Sequence, residues 1–277
     1  MMLPYLAELK KLETLQVVGM ADGTWTEAKA MEWQGVLSGQ TRLRHVYLFG
    51  GQFKDAWLSP LAGATGLKAL HVNSGVTGSF LSGLQLSKLE ELDLTSGSLG
   101  NLDALAGCQA LRRVRICACK QQEPLQPLLQ LTRLEVLLLN NCDAADDSLV
   151  EGFKFTKLRA LEISGRAKLT EAGLTRIAKF DTLLSLDLAC QSVSSDVLIM
   201  YAEQLKQLAA IDLFQSGKPG EAAIDAWLKH AAIRSFRFDS GGISKAKLSE
   251  LYRHLNDNDR KWSERNKDKT KTFKVGR

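Results

Sequence analysis

The sequence predicts an α/β solenoid, with a curved parallel β-sheet on its concave face and short helices or 3₁₀ segments on its convex face. Three observations point to it. A six-residue phrase, apolar-x-x-apolar-x-apolar, recurs ten times; its starts lie 22–25 residues apart after one longer gap of 31; and the last two apolar residues of each copy alternate with variable ones. That alternation is the period-two signature of a short strand with one buried face. A lone strand of this kind cannot bury its apolar side, so copies must stack, each covering the next, into one continuous core.

In chain order the copies are LETLQV from Leu12, LRHVYL from Leu43, LKALHV from Leu67, LEELDL from Leu89 and LRRVRI from Leu111. LEVLLL from Leu134, LRALEI from Leu158, LLSLDL from Leu183, LAAIDL from Leu208 and IRSFRF from Ile233 complete the series. With neighbouring strands about 4.8 Å apart, the array makes an arc roughly 45–50 Å long.

These phrases resemble the leucine-rich-repeat family from Leu12 to about Leu255. Copies near 22 residues, such as LEELDLTSGSLGNLDALAGCQA, are similar to short repeats with an extended or 3₁₀ convex side. Copies near 25 residues, such as LRALEISGRAKLTEAGLTRIAKFDT, are similar to cysteine-containing and ribonuclease-inhibitor-like repeats with a convex α-helix, a likeness carried by Asn140, Asn141, Cys142 and residues 168–178. The resemblance implies a non-catalytic protein-binding scaffold. Its cysteine-containing copies imply an alternative, the substrate-recognition subunit of a ubiquitin-ligase-type complex. Most copies carry Gly, Ser or Gln where the family often has Asn or Cys, so other groups must satisfy the backbone there.

Caps place the convex helices: Thr170 before 171–179, Ser195 before 196–205, and Pro219 near the start of a segment ending about Lys229. Helices are wider than extended segments, so the second half is expected to curve more tightly. The long first gap holds an insertion, residues 21–40, in which Ala28, Met31, Trp33 and Leu37 suit an amphipathic helix from about Thr26. Trp25 and Trp33 either cover the core at this end or form an exposed binding anchor.

A solenoid needs a polar cap at each end. At the C-terminus, Ser244 followed by 245–255, with Leu248, Leu251, Tyr252 and Leu255 at helical spacing, reads as that cap. Near the N-terminus Leu3, Tyr5, Leu6 and Leu9 make a minimal cap, or this end abuts a partner or belongs to a longer product. The predicted repeat domain is therefore 1–255, and 256–277 reads as a flexible basic tail.

Composition narrows the function classes. Of 277 residues, 45% are apolar and 24% charged, the range of an ordinary folded domain. No run is apolar enough for a membrane span, and charges at Glu8, Lys10, Lys11 and Glu13 interrupt any signal-peptide core, so a cytoplasmic setting is expected. Five cysteines without C-x-x-C pairs read as reduced thiols. Residues 253–277 hold nine Lys/Arg against four Asp/Glu, an excess of five that equals the whole formal charge. The body is neutral, so binding of RNA or an acidic partner is an expectation for the tail alone.

The four histidines are scattered, and no nucleotide-binding, hydrolase or metalloprotease motif occurs. No catalytic residue, metal or cofactor is expected. Function should instead lie in the variable strand positions, which face the concave side. The central column reads Gln16, Tyr47, His71, Asp93, Arg115, Leu138, Glu162, Asp187, Asp212, Arg237. The next reads Val18, Phe49, Asn73, Thr95, Cys117, Asn140, Ser164, Ala189, Phe214, Asp239.

Three zones follow. His45, Tyr47, Phe49 and His71 form an aromatic cluster suited to anchoring a partner. In the middle, Arg113 and Arg115 lie one repeat from Glu91 and Asp93, where they either pair with those carboxylates or meet a partner. Towards the C-terminus Glu162, Asp187 and Asp212 stack like charges, with Phe214 beside them, an arrangement suited to a basic segment or to solubility alone. A monomer that binds a protein or peptide is the expected whole.

Overall fold

The computed structural model describes residues 9, 11–18, 27–50, 53–73, 75–95, 99–100, 102–118, 125–143 and 145–266. Ten strands form one parallel sheet in chain order, β1 (Thr14–Val18), β2 (His45–Phe49), β3 (Ala69–Asn73), β4 (Glu91–Thr95), β5 (Arg113–Cys117), β6 (Val136–Asn140), β7 (Ala160–Ser164), β8 (Ser185–Asp187), β9 (Ala210–Leu213) and β10 (Ser235–Phe238). Every strand falls on a copy of the phrase, and the copies pair without a register slip. A one-residue slip would turn the buried leucines outward, so the apolar pattern locks the register. The inward column Leu15, Val46, Leu70, Leu92, Val114, Leu137, Leu161, Leu186, Ile211 and Phe236 is at most 6% exposed.

The convex side follows repeat length. The short repeats cross back through 3₁₀ turns at Ser79–Gly83, Asp103–Gly107 and Gln126–Gln130, whereas the later repeats use α-helices. A 3₁₀ turn rises about 2.0 Å per residue against 1.5 Å for an α-helix, so it spans the same height with fewer residues. Helices α1 (Glu27–Ser38) and α2 (Asp55–Leu58) cover the first repeats, α2 running into a 3₁₀ turn at Ser59–Gly63. Helices α3 (Asp147–Gly152), α4 (Glu171–Ile177), α5 (Ser195–Gln204), α6 (Glu221–Leu228) and α7 (Lys245–Arg265) follow. Thr170 caps α4 as expected, but α5 is capped by Ser194 and α6 begins after Gly220, each within two residues of its expected start.

The helix N-termini form a ladder from repeat to repeat. Asp147 accepts the Thr170 backbone N–H at 2.9 Å, Glu171 the Ser194 hydroxyl at 2.9 Å, Ser195 the Gly220 N–H at 2.8 Å, and Glu221 the Ser244 N–H at 3.2 Å. Three cap-residue backbone N–H groups and one cap hydroxyl are thus satisfied by the first residue of the previous helix. A second ladder replaces the missing asparagines. The Cys142 thiol donates to the Ile116 carbonyl, Gln191 Nε2 to Gly165 and the Ser216 hydroxyl to Leu188.

One backbone feature recurs where each strand turns towards the convex side. Gly50, Ala118, Asn141, Gly165, Cys190 and Gln215 occupy the same repeat position, and all have φ between 53° and 74°. Four of the six carry a side chain in this left-handed region, at a cost of about 1–2 kcal/mol each. At Gly165 a Cβ would lie 2.1 Å from Asn141 Oδ1, so a side chain there would be crowded as well as strained.

The ends differ from expectation in one respect. Trp33 on α1 is fully buried and packs 5.7 Å from Phe53, so it covers the core; Trp25, Leu3, Tyr5 and Leu6 lie outside the described residues. The C-terminal helix, expected to end at Leu255, continues ten residues to Arg265. Asn258, one turn beyond Leu255, is buried and donates to the carbonyls of His230 and Ile233, and Arg234 holds the next turn by stacking on Trp262 at 4.1 Å and approaching Asp259 at 3.7 Å. Polar contacts that hydrophobic periodicity does not register therefore fix the first part of the expected tail, while residues 267–277 lie outside the description. No helix among the described residues is long and apolar enough to cross a membrane.

Candidate functional site

Strand alternation puts the variable residues on the concave face in three columns. Thr14, His45, Ala69, Glu91, Arg113 and Val136 open the first; Gln16 to Arg237 make the central column in the order read from the sequence; Val18 to Ser164 make the third.

At the N-terminal end the structure brings Tyr47, Phe49 and His71 together. The Tyr47 and Phe49 rings are nearly parallel with centroids 6.5 Å apart, and His71 meets Tyr47 edge-on at 4.7 Å. His45 stands apart from this group in the first column, where its Nδ1 lies 3.3 Å from the Thr14 hydroxyl. Two acids complete the cluster: Glu91 is 3.6 Å from His71 Nε2, and Asp93 is 3.9 Å from its Nδ1. Burial lowers the His71 pKa despite these carboxylates, so the ring is neutral at pH 7. Burial and the Glu91 charge together raise the Tyr47 pKa.

In the middle zone Asp93 pairs with Arg115 at 3.5 Å, as cross-strand register allows. Arg113 is in register with Glu91, yet the Glu91 carboxylate turns to His71 on the other side. Cys117 is buried beside Arg115, and burial raises its thiol pKa. The described cysteines Cys108, Cys117 and Cys190 are free thiols, and no group of described residues could hold a metal ion.

The acidic column is present, but its members have structural roles that the sequence reading missed. Asp187 Oδ1 accepts the Ala189 N–H and Asp212 Oδ1 the Phe214 N–H, both at 2.9 Å. Each closes a turn two residues on, the ordinary local bond of an aspartate at a strand end. Glu162 Oε1 accepts from Asn140 Nδ2 at 2.7 Å and from the Ser164 hydroxyl at 2.8 Å. Of the three acids, Asp212 alone has a charge partner among the described residues, Arg237 at 3.0 Å, whose guanidinium also lies 4.4 Å over the Phe214 ring. Burial, with Glu162 and Asp212 nearby, pushes the Asp187 carboxyl up to about 6. The role of Arg237 is legible in the sequence, since it follows Asp212 in the central column.

No family model matches the sequence, and no curated protein matches it. Solved structures do match in fold. A structure of the Rad7 and Elc1 complex in yeast aligns with 91% of this chain and 70% of that one at a TM-score of 0.64 and 15% identity. A leucine-rich-repeat protein of Leptospira interrogans aligns with 90% of this chain and 60% of that one at a TM-score of 0.61 and 17% identity. An internalin of Listeria monocytogenes aligns with 89% and 86%, at a TM-score of 0.48 and 16% identity. Ten parallel strands in one open sheet, backed by short helices and 3₁₀ turns, make this chain a leucine-rich-repeat solenoid.

Proposed function

We propose that the protein is a non-catalytic scaffold whose concave face binds a protein or peptide. The observation that carries this reading is the charge state of the face. Glu162 and Asp187 sit in register on adjacent strands with hydrogen-bond donors but without a described cation within ion-pair distance. Two carboxylates left so close repel, and a basic segment laid across them would remove that cost. The aromatic group at the other end supplies anchors of the kind that dominate interface energetics.

Asparagine and glutamine keep the turn-closing acceptors while removing charge, so Glu162→Gln with Asp187→Asn tests the face without unfolding it. Affinity capture with mass spectrometry should show one set of partners on the wild type. That set should weaken at least about tenfold in the double variant and in Tyr47→Ala/Phe49→Ala. Unchanged capture by both would overturn the reading.

The ubiquitin-ligase alternative draws its support from the fold shared with a structure of the Rad7–Elc1 complex. Copurification of a ligase adaptor in the same experiment is what it requires.

A further inference from the structure

Resting on that scaffold reading, we propose that the Tyr47, Phe49 and Glu91 cluster is a receptor for one arginine side chain of the partner. The chain already fills one site of this kind by itself. At the C-terminal end of the concave face the Arg237 guanidinium lies 4.4 Å over the Phe214 ring and 3.0 Å from Asp212 Oδ2. The carboxylate and the ring sit two residues apart around one strand end, which is how this face holds a guanidinium.

The N-terminal end also carries an aromatic face and a carboxylate, here on separate strands on either side of His71. Tyr47 and Phe49, also two residues apart, present two nearly parallel rings, and Glu91 projects from two strands away with its side chain 48% exposed. Its carboxylate turns from Arg113 towards the His71 ring, and no Lys or Arg among the described residues lies within ion-pair distance of it. No Lys or Arg among the described residues lies over Tyr47 or Phe49, in contrast to Phe214. Asp93 already holds Arg115, so Glu91 is the acid free to receive a charge.

The chemistry favours arginine over lysine. A planar guanidinium stacks on an aromatic face while its edge donates to a carboxylate, and it is more weakly hydrated than an ammonium. The occupant is thus a protein or peptide segment carrying an arginine, laid across strands β2 to β4.

The test uses the full chain with N-acetyl-arginine amide as probe and its uncharged isostere N-acetyl-citrulline amide as control. Ring-proton NMR of Tyr47 and Phe49 reads this site alone. Arginine amide should move both rings saturably and bind at least about threefold more tightly than citrulline amide, the advantage of a cation over an exposed aromatic. Glu91→Gln, half-exposed, should remove most of that preference, whereas Glu203→Gln, exposed on the convex helix α5, should leave it intact. Equal response to the two amides, no ring response, or an unchanged preference in Glu91→Gln overturns the assignment. If Tyr47→Ala/Phe49→Ala still loses its captured partners while the amides bind alike, the scaffold reading stands and this one fails.

Discussion

Replacing Asp187 by Asn should stabilise the protein at neutral pH and leave its stability unchanged in acid. The carboxamide oxygen introduced by Asp187→Asn can still accept the Ala189 N–H, so the substitution removes charge and little else. The native carboxyl titrates at about 6 because burial and the neighbouring Glu162 and Asp212 disfavour its charged form, against an ordinary 3.8. A carboxyl whose folded pKa lies above its unfolded value favours folding only while protonated. Its penalty is therefore absent below about pH 4, grows as pH rises towards 6, and is complete above that.

Each pH unit of displacement is worth about 1.4 kcal/mol, giving an upper bound of about 3 kcal/mol. Partial exposure reduces this to about 1–2 kcal/mol. Urea unfolding of the wild type and Asp187→Asn at pH 7.5, 6 and 4 measures it. Equal differences at all three values, or destabilisation at pH 7.5, would refute the reasoning.

Four further outcomes follow from the backbone, the core and the C-terminal helix. Ala118→Gly should raise the unfolding free energy by about 0.5–1 kcal/mol because φ is 59° there, while Gly165→Ala should lower it by more than about 2 kcal/mol, both read by denaturant titration. Tyr201→Phe should cost about 1–3 kcal/mol in the same assay, since the buried hydroxyl donates to the Leu174 carbonyl at 2.7 Å and its loss leaves that acceptor unpaired. Trp262→Ala should release the last turns of α7, so that amides 259–265 exchange hydrogen faster by mass spectrometry while 245–255 stay protected.

The concave columns show how far sequence reaches in such a fold. Because the phrase fixes both strand position and register, the order Tyr47, His71, Asp93, Arg115 and Glu162, Asp187, Asp212, Arg237 can be written down from residue numbers alone. Whether neighbours pair depends on rotamers and distances that numbering does not contain. Glu91 and Arg113 are in register like Asp93 and Arg115, yet Glu91 turns to His71. The turn-closing bonds of Asp187 and Asp212 are likewise hidden, since an aspartate at a strand end has the same letter whether it faces solvent or its own backbone.

The solenoid was already contained in the order of residues, because ten apolar phrases at near-constant spacing have one compact way to bury their leucines. So was the lining of the concave face, because side chains alternate along a strand. Which of those residues are satisfied internally was decided only by packing in three dimensions. Packing also carried α7 past Leu255 to Arg265, through Asn258 and Trp262, whose polar and cation contacts bridge residues more than twenty positions apart and leave no periodic trace.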